Sequence, residues 1–302
     1  MDHARIRHHA SDQGGMFSRW QLRDDELTPG AMRWAIRGLR REFAGVYPSG
    51  WGSVTQLQRW CGATLTAPET SLNLASAAGF WDMRPDPGFF VTVVRPGTRG
   101  PNQSKGLLVS YSQTLAGNVV TVGALRVTTP ERTLIDLWPH LAADERSRML
   151  RETLRLKLTT PARLLAVLHA HRRRHGVAQL RSELLRIAGL PLGRCRSPAE
   201  AFGLAVLQEA GVELPVVNRR FAGEEADFTW PAHWQIVEID GPQWHRFADE
   251  DARKTAAWVA AGFTVDRLPS PLLFEDPSSL LRLAPAPPTP TSTSTSTSTS
   301  TV

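Results

Sequence analysis

The segment from Ser197 to Leu268 constrains the fold most, because its hydrophobic period switches between helical and strand-like in a fixed order. Ser197 begins a helix whose apolar spacing continues to Gly211. Residues 247–261 repeat the helical pattern, and residues 263–268 follow as a strand. Three strands are expected in between, at Val216–Phe221, 225–229 and Gln235–Asp240. The sequence therefore predicts a C-terminal domain of order αβββαβ.

Charge divides the chain into two parts of opposite sign. Residues 1–190 contain 26 basic and 15 acidic side chains, whereas residues 191–284 contain 9 and 14. The formal charge of +6 for the 302 residues is thus the sum of a basic part and an acidic part. A basic part attracts polyanions, so nucleic acid is the expected partner. We place the division near residues 189–193.

Several classes of protein are excluded by what the sequence lacks. No uninterrupted apolar run approaches the roughly 20 residues needed to cross a bilayer, and the charged N-terminal segment lacks the apolar core of a signal peptide. We therefore expect a cytoplasmic protein with no membrane partner. The only cysteines, Cys61 and Cys195, lack metal-binding spacing. Residues 285–302 are rich in Pro, Ser and Thr, which predicts a disordered tail.

Residues 11–50 are predicted to form a winged helix-turn-helix. Thr28 and Pro29 begin a helix that we expect to extend to about Phe43, and residues 44–48 follow as a short strand. Helix, turn, basic helix and strand is the element order of a winged helix, whose second helix enters the major groove of DNA. One face of the predicted helix is apolar. The adjoining face carries Arg33, Arg37, Arg40 and Arg41.

These four arginines are candidate contacts to DNA phosphates, and the alternative is an arginine-rich face that is only solvated.

Residues 64–190 are predicted to form a mixed α+β region. Its expected helices cover residues 69–79, a segment starting at 129–130, and residues 142–158, 161–172 and 177–188. Its expected strands cover residues 89–94, Leu107–Ser112 and Val119–Val122.

Three motifs within residues 11–190 resemble the AbiEi-type antitoxin proteins. They are the helix leading into FAGVY at 43–47, SAAG at 76–79 and VTTPERTLID at 127–136. The resemblance implies an N-terminal winged helix joined to a mixed second domain. It also implies DNA binding, autoregulation of a toxin–antitoxin operon, and a cognate toxin as a partner.

Carboxylates are concentrated on two predicted strands of the acidic part. Glu238 and Asp240 lie two residues apart and project from one face, and Asp227 lies on the neighbouring strand. Like charges so placed repel one another, and Mg²⁺ (or Mn²⁺) would relieve the repulsion. The alternative to a metal site is an ordinary strand whose polar face is exposed to solvent. Glu200 also has an alternative explanation, because Ser197-x-x-Glu200 matches a helix capping box.

An ordered series of motifs over residues 194–283 resembles the very-short-patch-repair-like endonuclease domains of the PD-(D/E)xK restriction-endonuclease fold. The series consists of Ser197-x-x-Glu200, EADFTWP at 225–231, VEIDG at 237–241, Trp244, His245, Asp251, Lys254, Gly262 and Arg267. The resemblance implies a domain that hydrolyses phosphodiester bonds of double-stranded DNA with a divalent metal.

Roles for individual residues follow from this resemblance. It implies that Asp227, Glu238 and Asp240 are metal ligands and that Glu200 is a supporting acid. His245 would assist at the scissile phosphate. The lysine of the wider fold's motif is replaced by Asp240, as is usual in this subfamily, and Lys254 on the following helix is the candidate substitute.

The sequence leaves two functions open. The first is a DNA-binding, metal-dependent endonuclease. The second is a non-enzymatic transcriptional regulator of antitoxin type, in which the nuclease-like domain serves recognition or dimerisation. In both, the chain is an α/β multidomain protein with an N-terminal winged helix, a mixed α+β middle region and a C-terminal αβββαβ domain.

Overall fold

A computed structural model of the chain describes residues 2–101, 103–241 and 248–285. The chain divides into two compact units, with the boundary between residues 188 and 189. The mixed α/β class is confirmed, since the described residues form thirteen α-helices and three β-sheets. None of the helices described is long and apolar enough to cross a membrane. Trp244, His245 and the tail beyond Pro285 lie outside the described residues, so the predictions for them stay predictions.

The first unit begins with three helices around a two-stranded antiparallel sheet. The elements are α1 (Asp2–Ser11), β1 (Met16–Ser18), α2 (Arg19–Asp24), α3 (Pro29–Ala35) and β2 (Val46–Pro48). Ser18 and Gln21 form a capping box at the start of α2, and the Thr28 hydroxyl accepts the Ala31 N–H at 3.2 Å to cap α3. Buried Phe17 and Leu22 join these elements in one core.

The prediction of a helix from residue 28 to about Phe43 is wrong in its length. α3 ends at Ala35, and Gly38 has a φ of +81°, a left-handed conformation that stops a right-handed helix. Phe43 instead forms an isolated bridge with Val46. Arg33 therefore lies on the helix, whereas Arg37, Arg40 and Arg41 follow it in an irregular segment.

The rest of the first unit contains a six-stranded mixed sheet of order β5-β6-β4-β3-β8-β7. Its elements are α4 (Gln56–Thr64), β3 (Ser71–Leu72), α5 (Leu74–Phe80), β4 (Val91–Pro96), β5 (Gln103–Ser104), β6 (Leu107–Ser112), β7 (Val119–Val122) and β8 (Leu125–Thr128). The helix predicted at 69–79 starts late, because Ser71 and Leu72 pair with β4 before α5 begins. The strand predicted at 89–94 is displaced to Val91–Pro96.

Four helices complete the first unit, and each starts within one residue of its predicted position. They are α6 (Pro130–Leu137), α7 (Ala143–Arg155), α8 (Pro161–Ala170) and α9 (Val177–Ile187). The TPERTLID motif is largely buried in α6. Arg132 is 1% exposed, pairs with Asp136 at 2.7 Å and donates to the Thr114 carbonyl at 2.6 Å. A paired and hydrogen-bonded buried arginine gives this motif a structural role.

The second unit contains the predicted order αβββαβ, followed by two short helices that the sequence did not predict. Its elements are α10 (Pro198–Glu209), β9 (Val216–Phe221), β10 (Glu224–Trp230), β11 (Gln235–Asp240), α11 (Ala248–Ala260), β12 (Thr264–Pro269), α12 (Ser270–Glu275) and α13 (Ser278–Leu283). The sheet order is β12-β11-β10-β9, antiparallel except that β12 runs parallel to β11. Gly203 allows α10 to pack closely, because a Cβ there would lie 3.1 Å from the side chains of Leu280 and Phe228.

A carboxylate cluster as the candidate active site

Asp227 and Glu238 lie on adjacent strands at the point where the β10–β11 ladder ends. The last backbone pair is Phe228 with Val237, so Asp227 and Glu238 would form the next one. Beyond the last pair, the side chains of these two residues bond to the backbone of the facing strand. The Asp227 N–H donates to Glu238 Oε1 at 2.8 Å, and the Ile239 N–H donates to Asp227 Oδ2 at 2.8 Å. Each carboxylate is thus fixed through one oxygen by the backbone of the opposite strand.

The ionised forms of these two carboxyls are disfavoured. Burial raises the pKa of Asp227 well above its usual value, and the charges of Glu238 and Glu200 raise it further. Burial also raises the pKa of Glu238, which is 9% exposed, against the opposing effects of the Asp227 N–H and Arg267. Neither carboxylate has an ion-pair partner among the residues that the structure describes. A cation beside the pair would relieve the repulsion.

Glu200 is buried and belongs to the same cluster, because its charge raises the pKa of Asp227. The alternative explanation of Glu200 by a capping box is correct only for Ser197. The Ser197 hydroxyl does accept the Glu200 N–H at 3.1 Å. The Glu200 carboxylate, however, accepts the Arg196 N–H at 2.9 Å and the Asn218 side-chain amide at 2.5 Å. Glu200 is therefore held by two donors outside the helix.

Asn218 is a site residue that the sequence analysis missed. It lies on β9 opposite Asp227, between the backbone pairs of Arg219 with Ala226 and of Val217 with Phe228. Its φ is +48°, a left-handed conformation that asparagine tolerates better than most residues. Its amide donates to Glu200 and to a backbone carbonyl at 2.9 Å. The only sequence signal is an asparagine inside a strand pattern, where this residue is uncommon.

Asp240 faces a guanidinium group. Arg267 Nη1 lies 2.9 Å from Asp240 Oδ1 and 3.6 Å from Asp251 Oδ2. Arg267 occupies the position on β12 that pairs with Glu238 on β11, so its charge also lowers the pKa of Glu238. Burial raises the pKa of Asp240, and Arg267 opposes this effect.

Lys254 on α11 also lies near the cluster. Its charge lowers the pKa of Glu238, and its Nζ is 3.3 Å from Glu250 Oε1. His245 lies outside the described residues. Five residues of the predicted site therefore lie close together, namely Glu200, Asp227, Glu238, Asp240 and Lys254. Asn218 and the ion pair of Arg267 with Asp240 also belong to this cluster.

The donor chemistry fits a divalent cation held by two carboxylates. Mg²⁺ is commonly bound by one or two carboxylates together with waters and substrate phosphates. Asp227 and Glu238 can supply such a pair, whereas Asp240 has one oxygen engaged by Arg267. In the part of the chain that the structure describes, no group of three or more His, Cys, Asp or Glu side chains is arranged to hold a metal ion.

The four candidate DNA-binding arginines of the first unit are all exposed. Arg40 lies 3.5 Å from Glu42. Within the described ranges, Arg33, Arg37 and Arg41 form no ion pair. Their charges are therefore available to a polyanion, although they do not share one helix face.

Comparison of the sequence with protein-family models gave no match, and comparison with curated proteins gave none either.

Proposed function

We propose that this protein is a DNA-binding endonuclease, in which the second unit hydrolyses phosphodiester bonds with a divalent metal and the first unit binds double-stranded DNA. The observation that carries the proposal is the fixed pair of Asp227 and Glu238 carboxylates, both with raised pKa. Perturbed carboxyls of this kind concentrate at functional sites, because folding alone would favour their replacement by neutral residues.

The topology of the second unit supports the proposal. An antiparallel β9-β10-β11 meander is followed by α11 and by β12 parallel to β11. With α10, these elements have the αβββαβ order that the hydrophobic pattern predicts for the domain that resembles the PD-(D/E)xK fold. The carboxylates lie on the two central strands of that sheet, β10 and β11, which is a rigid platform for a site.

Each residue of the cluster receives a role in this proposal. Asp227 and Glu238 would hold Mg²⁺ or Mn²⁺, which when bound would polarise the phosphate and lower the pKa of an attached water. Glu200, which Asn218 holds in place, puts a further negative charge near Asp227. This charge would strengthen the attraction of the site for the cation. Lys254 would bind a phosphate oxygen of the DNA. Arg267 would orient Asp240, which is thereby placed outside the ligand pair.

The first unit would supply DNA affinity. Three helices and the β1–β2 pair support the winged-helix assignment, and Arg33, Arg37 and Arg41 offer unpaired charge within the described residues. Contacts between these arginines and phosphates would release counterions, so binding would weaken steeply as salt rises.

Cleavage of supercoiled plasmid in Mg²⁺ or Mn²⁺ tests the enzymatic proposal. The wild-type chain should nick the plasmid, and the Asp227→Asn/Glu238→Gln double variant should lose at least about 100-fold in rate, as for removal of a catalytic metal site. Asp266→Asn is the matched control, because it removes a partly buried carboxylate from the neighbouring strand β12. Equal nicking by the wild type and the double variant, or no nicking of any DNA substrate, would overturn the proposal.

A second candidate function is a DNA-binding regulator of antitoxin type without nuclease activity. The pairing of Asp240 with Arg267 favours it, because that pairing leaves two rather than three acidic ligands. This function predicts salt-sensitive binding to the protein's own promoter and no cleavage in either metal. A neighbouring gene for a toxin whose activity the protein neutralises would support it over the nuclease.

A further inference from the structure

Two tryptophans of the first unit have large exposed areas. Trp51, in the loop that follows β2, is 83% exposed, and Trp34 on α3 is 58% exposed. Tryptophan is highly buried on average. Exposed aromatic side chains beside basic ones are typical of surfaces that bind single-stranded nucleic acid.

Both indole rings line one cavity of about 350 Å³, and Arg37 lines it as well. We refer to Trp34, Arg37 and Trp51 as the tryptophan cleft. Trp51 also lines a second cavity of about 170 Å³, formed by the glycine-rich loop around Gly50 and Gly52. Trp51 therefore lines two cavities, and its large exposed area offers surface for stacking.

The tip of the Trp51 ring rests against the backbone at Gly38. A Cβ built on Gly38 would lie 3.2 Å from Trp51 Cη2. This contact limits the positions of an otherwise exposed ring, so less conformational entropy is lost when a ligand stacks on it.

Charge indicates what kind of flat ligand the cleft would take. Arg37 at the cleft, Arg33 beside Trp34 in the sequence and Arg41 in the segment after α3 are exposed. In the described residues none of the three pairs with a carboxylate. A nucleotide combines a flat ring with an anionic phosphate, which matches an indole beside guanidinium groups. An uncharged aromatic ligand would leave these arginines unused.

We infer that the tryptophan cleft binds an unstacked base of DNA, with the ring on Trp51 and the adjoining phosphates on Arg37 and Arg33. The inference rests on the DNA binding proposed above and specifies its substrate class: DNA with an unpaired or extruded base. An intact duplex presents only base edges in its grooves, so it cannot offer a base face to Trp51.

Fluorescence anisotropy of the full chain in EDTA tests the inference without cleavage. Three labelled DNAs are compared: a perfect duplex, the same duplex with one extrahelical thymine, and the single strand. Trp51→Ala should weaken binding to the last two by about 5- to 100-fold, the loss expected for one stacked base, and change duplex binding less than about twofold. Trp51→Phe keeps a ring face and should recover most of the affinity.

Phe89→Ala is the matched control, because Phe89 is 82% exposed in the same unit and lies outside the cleft. It should change binding to none of the three DNAs. The inference fails if Trp51→Ala weakens all three equally or none of them. If the wild type binds the duplex in a salt-dependent way without this discrimination, the inference alone fails. If the wild type binds no DNA at low salt, the inference and the proposed function fail together.

Discussion

The main-chain N–H of Asp227 donates to Oε1 of Glu238 at 2.8 Å, one position beyond the last backbone pair of β10 and β11. The Ile239 N–H in turn donates to Oδ2 of Asp227 at 2.8 Å. The sheet therefore fixes both carboxylates before any ligand binds. Such preorganisation has an energetic cost, because two repelling groups are partly removed from water.

Asp227→Asn should raise the thermal unfolding midpoint by a few degrees at neutral pH in EDTA. The amide oxygen can still accept the Ile239 N–H, while the disfavoured charge is removed. The folded-state pKa of Asp227 is raised, so between the unfolded and folded pKa values the folded state binds more protons and stability falls as pH rises. The gain should therefore be present at about pH 7.5 and nearly absent at about pH 4, near the unfolded-state value.

Scanning calorimetry at the two pH values measures this difference. Asp266→Asn provides the comparison, because it changes a carboxylate on β12 that lies outside the cluster's hydrogen bonds. A gain for Asp227→Asn that was equal at both pH values would contradict the assignment of the effect to ionisation.

Asn218→Asp should have the opposite effect. It removes the amide donor 2.5 Å from Glu200 Oε2 and places a like charge there. We expect a loss of about 1–3 kcal/mol in the free energy of unfolding at neutral pH, as for a buried polar group that loses its partner. The loss should shrink under acidic conditions, because protonation of the introduced carboxyl removes its charge.

Asn218→Ala separates the two contributions in the same denaturation measurements. This variant removes the donor without adding charge. Because the backbone at position 218 has a φ of +48°, alanine there adds about 1 kcal/mol of strain at every pH. If Asn218→Asp and Asn218→Ala showed the same dependence on pH, repulsion with Glu200 would be ruled out as the cause.

Strand positions in the second unit were predictable because alternation is a local property. β9 and β11 begin and end at the predicted residues, and Ser197 caps α10 as expected. The end of α3 was not predictable from periodicity, since it depends on Gly38 adopting a left-handed conformation. Apolar spacing continued through Ile36, Leu39 and Phe43, although these residues are no longer helical.

Asp227 and Glu238 were predicted to lie on neighbouring strands, as they do, but the partners of the acidic residues were not predicted. Asn218 and Glu200 meet across 18 positions of sequence, and Arg267 meets Asp240 across 27. These contacts depend on strand register and on where α10 lies, which no local pattern encodes. Whether the cluster binds a metal stays a prediction.

Arg267→Gln should lower the free energy of unfolding by about 1–3 kcal/mol, because it leaves Asp240 beside Asp251 and Glu238 without its guanidinium partner. Urea denaturation measures the change. The double variant Arg267→Gln/Asp240→Asn should recover part of the loss. Arg253→Gln removes an arginine that is 62% exposed and paired with Glu224, so it should change stability by less than about 1 kcal/mol. Equal losses for the two arginine variants would show that Arg267 acts only as a surface charge.

Arg37→Gln should weaken binding to every duplex by a similar factor and reduce the slope of log affinity against log salt by about one. Arg37 is exposed and, within the described residues, has no carboxylate partner that would compete with phosphate. Arg181→Gln removes the same charge from an exposed position on α9 of the same unit. Titrations at several salt concentrations should leave the slope of Arg181→Gln at the wild-type value. If both variants lowered the slope equally, net charge rather than a contact at Arg37 would account for binding, and the segment after α3 would lose its assignment as the DNA-binding surface.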